Sequence, residues 1–129
     1  MGRKQVKVPR VSRAEWEVMK AIWSGHPVAA NEVAERLAPR HDWSPRTVKT
    51  MLNRLVRKGA LGFQVQGKRY LYSPRVSQEV CVRSESESFL ARVFNGQEAA
   101  ILLHYARHAT LTPDDIAELK RVLEQKQEH

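Results

Sequence analysis

Arg46, Thr50, Asn53 and Arg57 recur at intervals of three and four within the stretch WSPRTVKTMLNRLVRKG, so on a helix they share one face. Several residue types here can reach the edges of base pairs. Arginine forks onto guanine O6 and N7, asparagine pairs with adenine N6 and N7, and a threonine methyl rests against thymine. Arg46, Thr47, Thr50 and Asn53 are therefore the expected base readers. Lys49, Arg54, Arg57 and Lys58, with Lys68 and Arg69 just beyond the helix, suit phosphate, which sets affinity and register without reading sequence. No carboxylate occurs from Ser44 through Tyr72. A merely solvated helix face usually mixes charge signs, whereas this one invites a polyanion.

The elements that must hold these residues can be read from their ends. Ser44 can cap a helix with its hydroxyl, Pro45 suits the first helical position because it has no amide to leave unpaired, and Gly59 can take the left-handed turn that ends the helix. Val48, Met51, Leu52 and Leu55 then form one buried stripe opposite the basic face. Beyond the helix, Leu61, Phe63, Tyr70 and Tyr72 alternate on either side of Gln66-Gly67. A two-residue turn there pairs Phe63 with Tyr70 and Leu61 with Tyr72, with the aromatics packed inward and Arg69 pointing outward. Upstream, the box formed by Ser12 and Glu15 opens a helix over about residues 13 to 24, stopped by Gly25 and Pro27. Val28 adds a short extended segment, and a second helix over about 30 to 38 buries Val33, Ala34 and Leu37. Three helices followed by a two-stranded hairpin is the order of a winged helix-turn-helix, whose third helix enters the major groove.

After Pro74 the content changes. Residues 1 to 75 hold 16 Lys/Arg against 5 Asp/Glu, net +11, while residues 76 to 129 hold 6 against 9, net −3. The polyanion thus belongs to the first part. Three further helical patterns, over about 77 to 95, 97 to 108 and from Thr112-Pro113 onward, cannot bury much apolar surface alone and should gain a core from a second copy. Phe89, Leu102, Leu103, Ile116, Leu119 and Leu123 are the expected dimer contacts. The expected fold class is mainly α (α+β), a winged helix-turn-helix with a small antiparallel wing followed by a helical dimerisation region. Its divisions are a flexible basic arm (1–10), the DNA-binding domain (11–75) and a three-helix dimerisation domain (76–129).

One cysteine, Cys81, excludes an internal disulfide and a cysteine metal cage, which fits the cytosol. Neither a spanning apolar run nor a secretory signal is expected. No nucleophile and base pair, glycine-rich phosphate loop or metal-protease motif is present, so the chain reads as a non-enzyme without a cofactor. His104 and His108 have the spacing of a two-ligand metal site but lack a third ligand, and read as surface histidines. Cys81 reads as a buried filler rather than a redox sensor, and Trp16 with Trp23 as core rather than a ligand pocket.

The blocks Ser12-Arg13-Ala14-Glu15-Trp16-Glu17-Val18-Met19 with Ile22-Trp23, Asn31-Glu32-Val33, Trp43-Ser44-Pro45-Arg46-Thr47, Arg54-Leu55 and Lys58-Gly59 resemble the penicillinase-repressor (BlaI/MecI/CopY) family. Ser88-Phe89-Leu90 and Phe94-Asn95-Gly96 carry the resemblance into the second part. It implies a homodimeric bacterial repressor on inverted-repeat operator DNA, controlling resistance or metal-handling genes. The copper-responsive branch has a cysteine-rich C-terminal hook, but this chain ends in LKRVLEQKQEH. In the antibiotic-responsive branch a protease cuts an Asn-Phe bond, which aligns here with His104-Tyr105; both residues differ, and the protease acting on this chain is unknown. The alternative is a small-molecule-sensing dimeric regulator resembling the multiple-antibiotic-resistance type. A sequence-indifferent RNA or nucleoid binder is a third reading, which exposed stacking aromatics on the hairpin would favour.

Overall fold

The computed structural model describes residues 8–128. The expected arm therefore lies mostly outside the described residues. The chain divides into two compact units, residues 1–86 and 87–129.

In the first unit, α1 (Arg13–Trp23) opens with the Ser12 and Glu15 capping box, each side chain satisfying the other's backbone amide. A two-residue strand β1 (Val28–Ala29) leads into α2 (Ala30–Leu37), and α3 spans Pro45–Lys58. Arg36 of α2 donates to the Ala21 and Gly25 carbonyls, satisfying the exposed end of α1 and fixing the two helices together. The core gathers Val18, Met19 and Ile22 of α1, Val33 and Leu37 of α2, and Val48, Met51, Leu52 and Leu55 of α3. Trp16 and Trp23 pack at its edge, their rings 5.6 Å apart.

The wing is β2 (Leu61–Gln66) and β3 (Arg69–Pro74), with β1 added to the far side of β3, giving the order β1-β3-β2. Its register corrects the expected one. Phe63 opposes Tyr72 and Val65 opposes Tyr70, because the turn is Gly67-Lys68 rather than Gln66-Gly67. Gly67 has φ +65°, the left-handed value that a tight hairpin turn takes at its first central position, so the glycine decides where the chain reverses. The slip is two residues, which preserves which side chains share a face. Burial along that face also differs from expectation. Tyr72 and Leu61, at the base, are buried, but Phe63 and Tyr70 are 44% and 49% exposed, since the hairpin's outer half runs past the helical core. Their rings stack on each other, 4.8 Å apart and 3° from parallel.

The first unit also runs past the boundary expected after residue 75. The Trp23 indole donates to the Val76 carbonyl at 3.0 Å, Val76 packs on the core, and Cys81 near the start of α4 (Gln78–Val93) is buried. Burial pushes the Cys81 thiol up, away from the reactive thiolate.

The second unit contains the end of α4, α5 (Glu98–His108) and α6 (Pro113–Gln127). Asn95 and Gly96 adopt positive φ between α4 and α5, and Thr112 with Asp115 forms the capping box that starts α6. Neither α5 nor α6 contains a buried residue. Leu102, Leu103, Ile116, Leu119 and Leu123 are exposed, and Phe89 is half-buried with its ring 6.0 Å from Phe94. The His104 ring lies 5.7 Å from Tyr105 and 4.8 Å from His108. No described helix is long and apolar enough to cross a membrane.

Candidate nucleic-acid interface

Ser44 accepts the Thr47 amide at 3.2 Å, and their hydroxyls lie 3.0 Å apart. Pro45 follows at the first helical position, and Gly59 at φ +85° ends the helix, with the Ala60 amide returning to the Leu55 carbonyl. With both ends fixed and Val48, Met51, Leu52 and Leu55 buried, the phase of α3 is determined. Arg46, Thr50, Asn53 and Arg57 accordingly stand on the solvent face. The side chains of Arg46, Asn53 and Arg57 have no hydrogen-bond or ion-pair partner among the described residues, so their donors are open to an incoming surface. The Thr50 hydroxyl is engaged, donating to the Arg46 carbonyl at 3.0 Å. That leaves its methyl and an oxygen lone pair for recognition. Thr47 is similarly occupied by the cap, which makes its methyl the available part.

Around α3 the surface is concave. One hollow of about 460 Å³ is lined by Ala29, Ala30, Asn31, Lys49, Lys68, Arg69, Tyr70 and Tyr72. Another, of about 390 Å³, shares Ala30, Asn31 and Lys49 and continues to Pro45 and Arg46. Together they form a groove from the wing, past the start of α2, to the start of α3. Cationic walls of this kind concentrate phosphate. Asn31 and Tyr70 belong to it and were not among the expected site residues. Asn31 lies on α2, outside the basic stretch on which the sequence reading of the site rests, and Tyr70 was assigned to the core by the alternation that also buries Tyr72.

Two of the expected phosphate residues are placed differently from the rest. The Lys58 side chain is one-third exposed and turns its ammonium onto Glu15 Oε1 at 2.5 Å and the Arg10 carbonyl at 3.0 Å. The Lys58 ammonium is thus engaged within the protein, unlike most of the other cations expected on phosphate. Its position on α3, beside the buried stripe rather than opposite it, explains the turn. Glu15 is fully buried, and its Oε2 has no partner among the described residues. Burial alone would raise its carboxyl, but the bonds from Lys58 and Ser12 outweigh burial and hold it below its ordinary value. Arg69 remains on the outer surface, yet its guanidinium is paired with Glu32 of α2 at 2.6 Å. Lys49, Arg54 and Lys68 are exposed, as expected of phosphate residues.

The model of the penicillinase repressor family matches residues 11–125, nearly the whole chain. The chain belongs to that family. The penicillinase repressor of Bacillus licheniformis is 38% identical over 119 residues, covering 92% of this chain and 93% of the relative. The methicillin resistance regulatory protein MecI of Mammaliicoccus sciuri is 32% identical over 120 residues, covering 93% and 98%. Among solved structures, the DNA-binding domain of the repressor BlaI superposes with a TM-score of 0.51 at 43% identity, covering 56% of this chain and 88% of that one. The monomeric form of B. licheniformis BlaI in complex with the blaP half-operator gives 0.50 at 42% identity, covering 57% and 89%. The winged-helix class read from the sequence is thereby established for the first unit.

Proposed function

We propose that the chain is a transcriptional repressor that binds operator DNA and controls β-lactam resistance genes, acting as a homodimer on an inverted repeat. The observation that carries this reading is the outward face of α3, where a helix capped at both ends presents Arg46, Thr50 and Asn53 to solvent, with Arg46 and Lys49 lining a cationic groove, within a chain of the penicillinase repressor family. The helix enters the major groove; Arg46 and Asn53 read base edges, with the Thr47 and Thr50 methyls as apolar contacts. Lys49, Arg54, Arg57 and Lys68 neutralise phosphates beside it. The relative BlaI is described on half of an operator, which fits one chain of this kind per half-site. No catalytic or cofactor chemistry enters this function, and it belongs in the cytoplasm with the DNA.

The homodimer rests on α5 and α6, whose apolar side chains are uncovered within their own unit. Leu102, Leu103, Ile116, Leu119 and Leu123, with Phe89, are the surface that a second copy covers. Relief of repression by cleavage at His104-Tyr105 lacks a specific observation in its favour, as does the small-molecule-sensing alternative. The half-exposed Phe63 and Tyr70 meet part of the criterion for an RNA binder. Each ring nevertheless covers one face of the other, and family membership favours duplex operator DNA.

Selection of binding sites from random duplexes by the full chain tests the proposal. The recovered motif should be a pseudo-palindrome bound by two chains, its half-sites about 34–36 Å apart or a multiple of that. An asymmetric site bound by one chain, or preference for single strands, would overturn it.

A further inference from the structure

β3 is supported unevenly along its length. Over Leu71 and Tyr72 it has β1 on one side and β2 on the other, since Ala29 pairs with Leu71 and Val28 with Tyr72. At Ala29 the flanking strand ends and the chain turns into α2. Arg69 and Tyr70, the first residues after the Gly67-Lys68 turn, are therefore paired with β2 alone. A two-stranded ribbon is weak by itself. At this point Arg69 Nη2 meets Glu32 Oε1 at 2.6 Å, and the same oxygen accepts the Ala29 amide at 3.4 Å. One carboxylate thus joins the end of β1, the first turn of α2 and the outer part of the wing. It bridges the place where the backbone ladder stops.

The charge of Glu32 makes its position informative. It stands beside a groove lined by Asn31, Lys49 and Lys68, where phosphate is drawn and a carboxylate repels it. A side chain chosen only for polyanion affinity would be neutral or basic here.

From this geometry we infer that Glu32 and Arg69 form a strut that sets the wing's angle against α2 and α3, so that Glu32 is a positioning residue for operator binding and Arg69 acts through Glu32 rather than on phosphate. The inference rests on the operator-binding reading. The pair aims Lys68 at the turn and Tyr70 beside it toward the phosphates flanking the major-groove helix. Arg69 serves as a hinge pin, although sequence alone places it with the gripping cations.

The strut and simple electrostatics predict opposite signs for one substitution. Glu32→Gln keeps an oxygen for the Ala29 amide but removes the charge that holds Arg69. Electrostatics alone requires tighter DNA binding; the strut requires weaker binding. Full-length wild type, Glu32→Gln and Arg69→Gln should be titrated with the selected inverted repeat and a scrambled duplex across a salt series. Backbone ¹⁵N relaxation of Lys68, Arg69 and Tyr70 should be recorded without DNA. Both variants are expected to lose about three- to five-fold in operator affinity, consistent with an exposed ion pair. Their salt dependence should be unchanged, and the three wing amides should become more mobile. Tighter binding by Glu32→Gln, a salt slope lower by about one phosphate per subunit in Arg69→Gln, or wing amides as rigid as wild type would overturn the inference. If wild type binds no duplex selectively, the operator reading fails instead, and the relaxation data still decide whether the pair steadies the wing.

Discussion

Leu52 and Leu119 are the same residue type on helices of similar length, yet Leu52 of α3 is fully buried and Leu119 of α6 is 43% exposed. The contrast extends to their units. In the first, three helices and the base of the wing enclose one core; in the second, α5 and α6 bury no residue. One unit completes itself, and the other presents the surface that we assign to a second copy. The proposed dimer, which places two reading heads on one duplex, has reason to separate these properties. The heads must be rigid before DNA arrives, while the spacing between them depends on pairing.

The sharpest way to break this contrast is to disturb both leucines. Leu52→Ala should cost about 2–5 kcal/mol of unfolding free energy, with no dependence on protein concentration. Leu119→Asp should instead dissociate the chain to monomer at micromolar concentration while leaving the first unit folded. Sedimentation and chemical denaturation distinguish the two. A Leu119→Asp variant that remained dimeric would end the assignment of α6 to the interface.

The next effect lies wholly within the self-contained unit. Lys58→Met strands the buried Glu15 carboxylate and should cost about 2–3 kcal/mol, below a fully buried pair because Lys58 is one-third exposed. Glu15 is held below its ordinary value in the folded protein, so its contribution is complete above the unfolded pKa. It is lost as pH falls through the folded one. Wild type and Lys58→Met should therefore converge in stability on the acid side and diverge toward neutrality. A constant gap in denaturation midpoint across that range would argue against the ion pair as the cause.

Smaller effects separate reading from gripping. Asn53→Ala should cost about 1–3 kcal/mol per half-site and relax preference at one base pair, with scrambled DNA bound as before. Equal losses on both duplexes would remove Asn53 from the reading set. Lys68→Ala, at the wing turn, should lower affinity for all sequences slightly and flatten the salt dependence by about one phosphate per subunit. If its salt slope matches wild type, Lys68 does not touch phosphate.

The sequence announces most clearly what is local. Ser12 with Glu15, Ser44 with Pro45 and Gly59, and Thr112 with Asp115 act within a few residues, and helices begin or end at each. The face assignment of α3 follows from the same local information, because the buried stripe and capped ends leave one phase. The wing's side-chain alternation was legible, but its register was not. That depended on which central turn position Gly67 takes, and dipeptide composition does not decide it. Ion pairs between distant segments were illegible altogether. Glu15 with Lys58 and Glu32 with Arg69 join residues that only the closed fold brings together, so in sequence Lys58 and Arg69 look no different from the neighbouring cations assigned to phosphate. Tyr70 was misplaced because alternation states which face a residue shares, not how far the supporting core extends beneath it.

The short strand β1 has a consequence in time. Val28 and Ala29 lie early in the chain, but their partners Tyr72 and Leu71 are made only after three helices and most of the wing. The Trp23 indole waits longer, for the carbonyl of Val76. A nascent chain cannot close this loop until those residues clear the ribosome, and domains commonly fold as units while synthesis proceeds. Chains arrested with Val76 outside the exit should resist protease through residues 11–76, whereas chains arrested before Arg69 emerges should be cut within α2 and α3. The first unit can then close while α5 and α6 are still within the tunnel or not yet made, so under the proposed dimer it would fold before two chains pair.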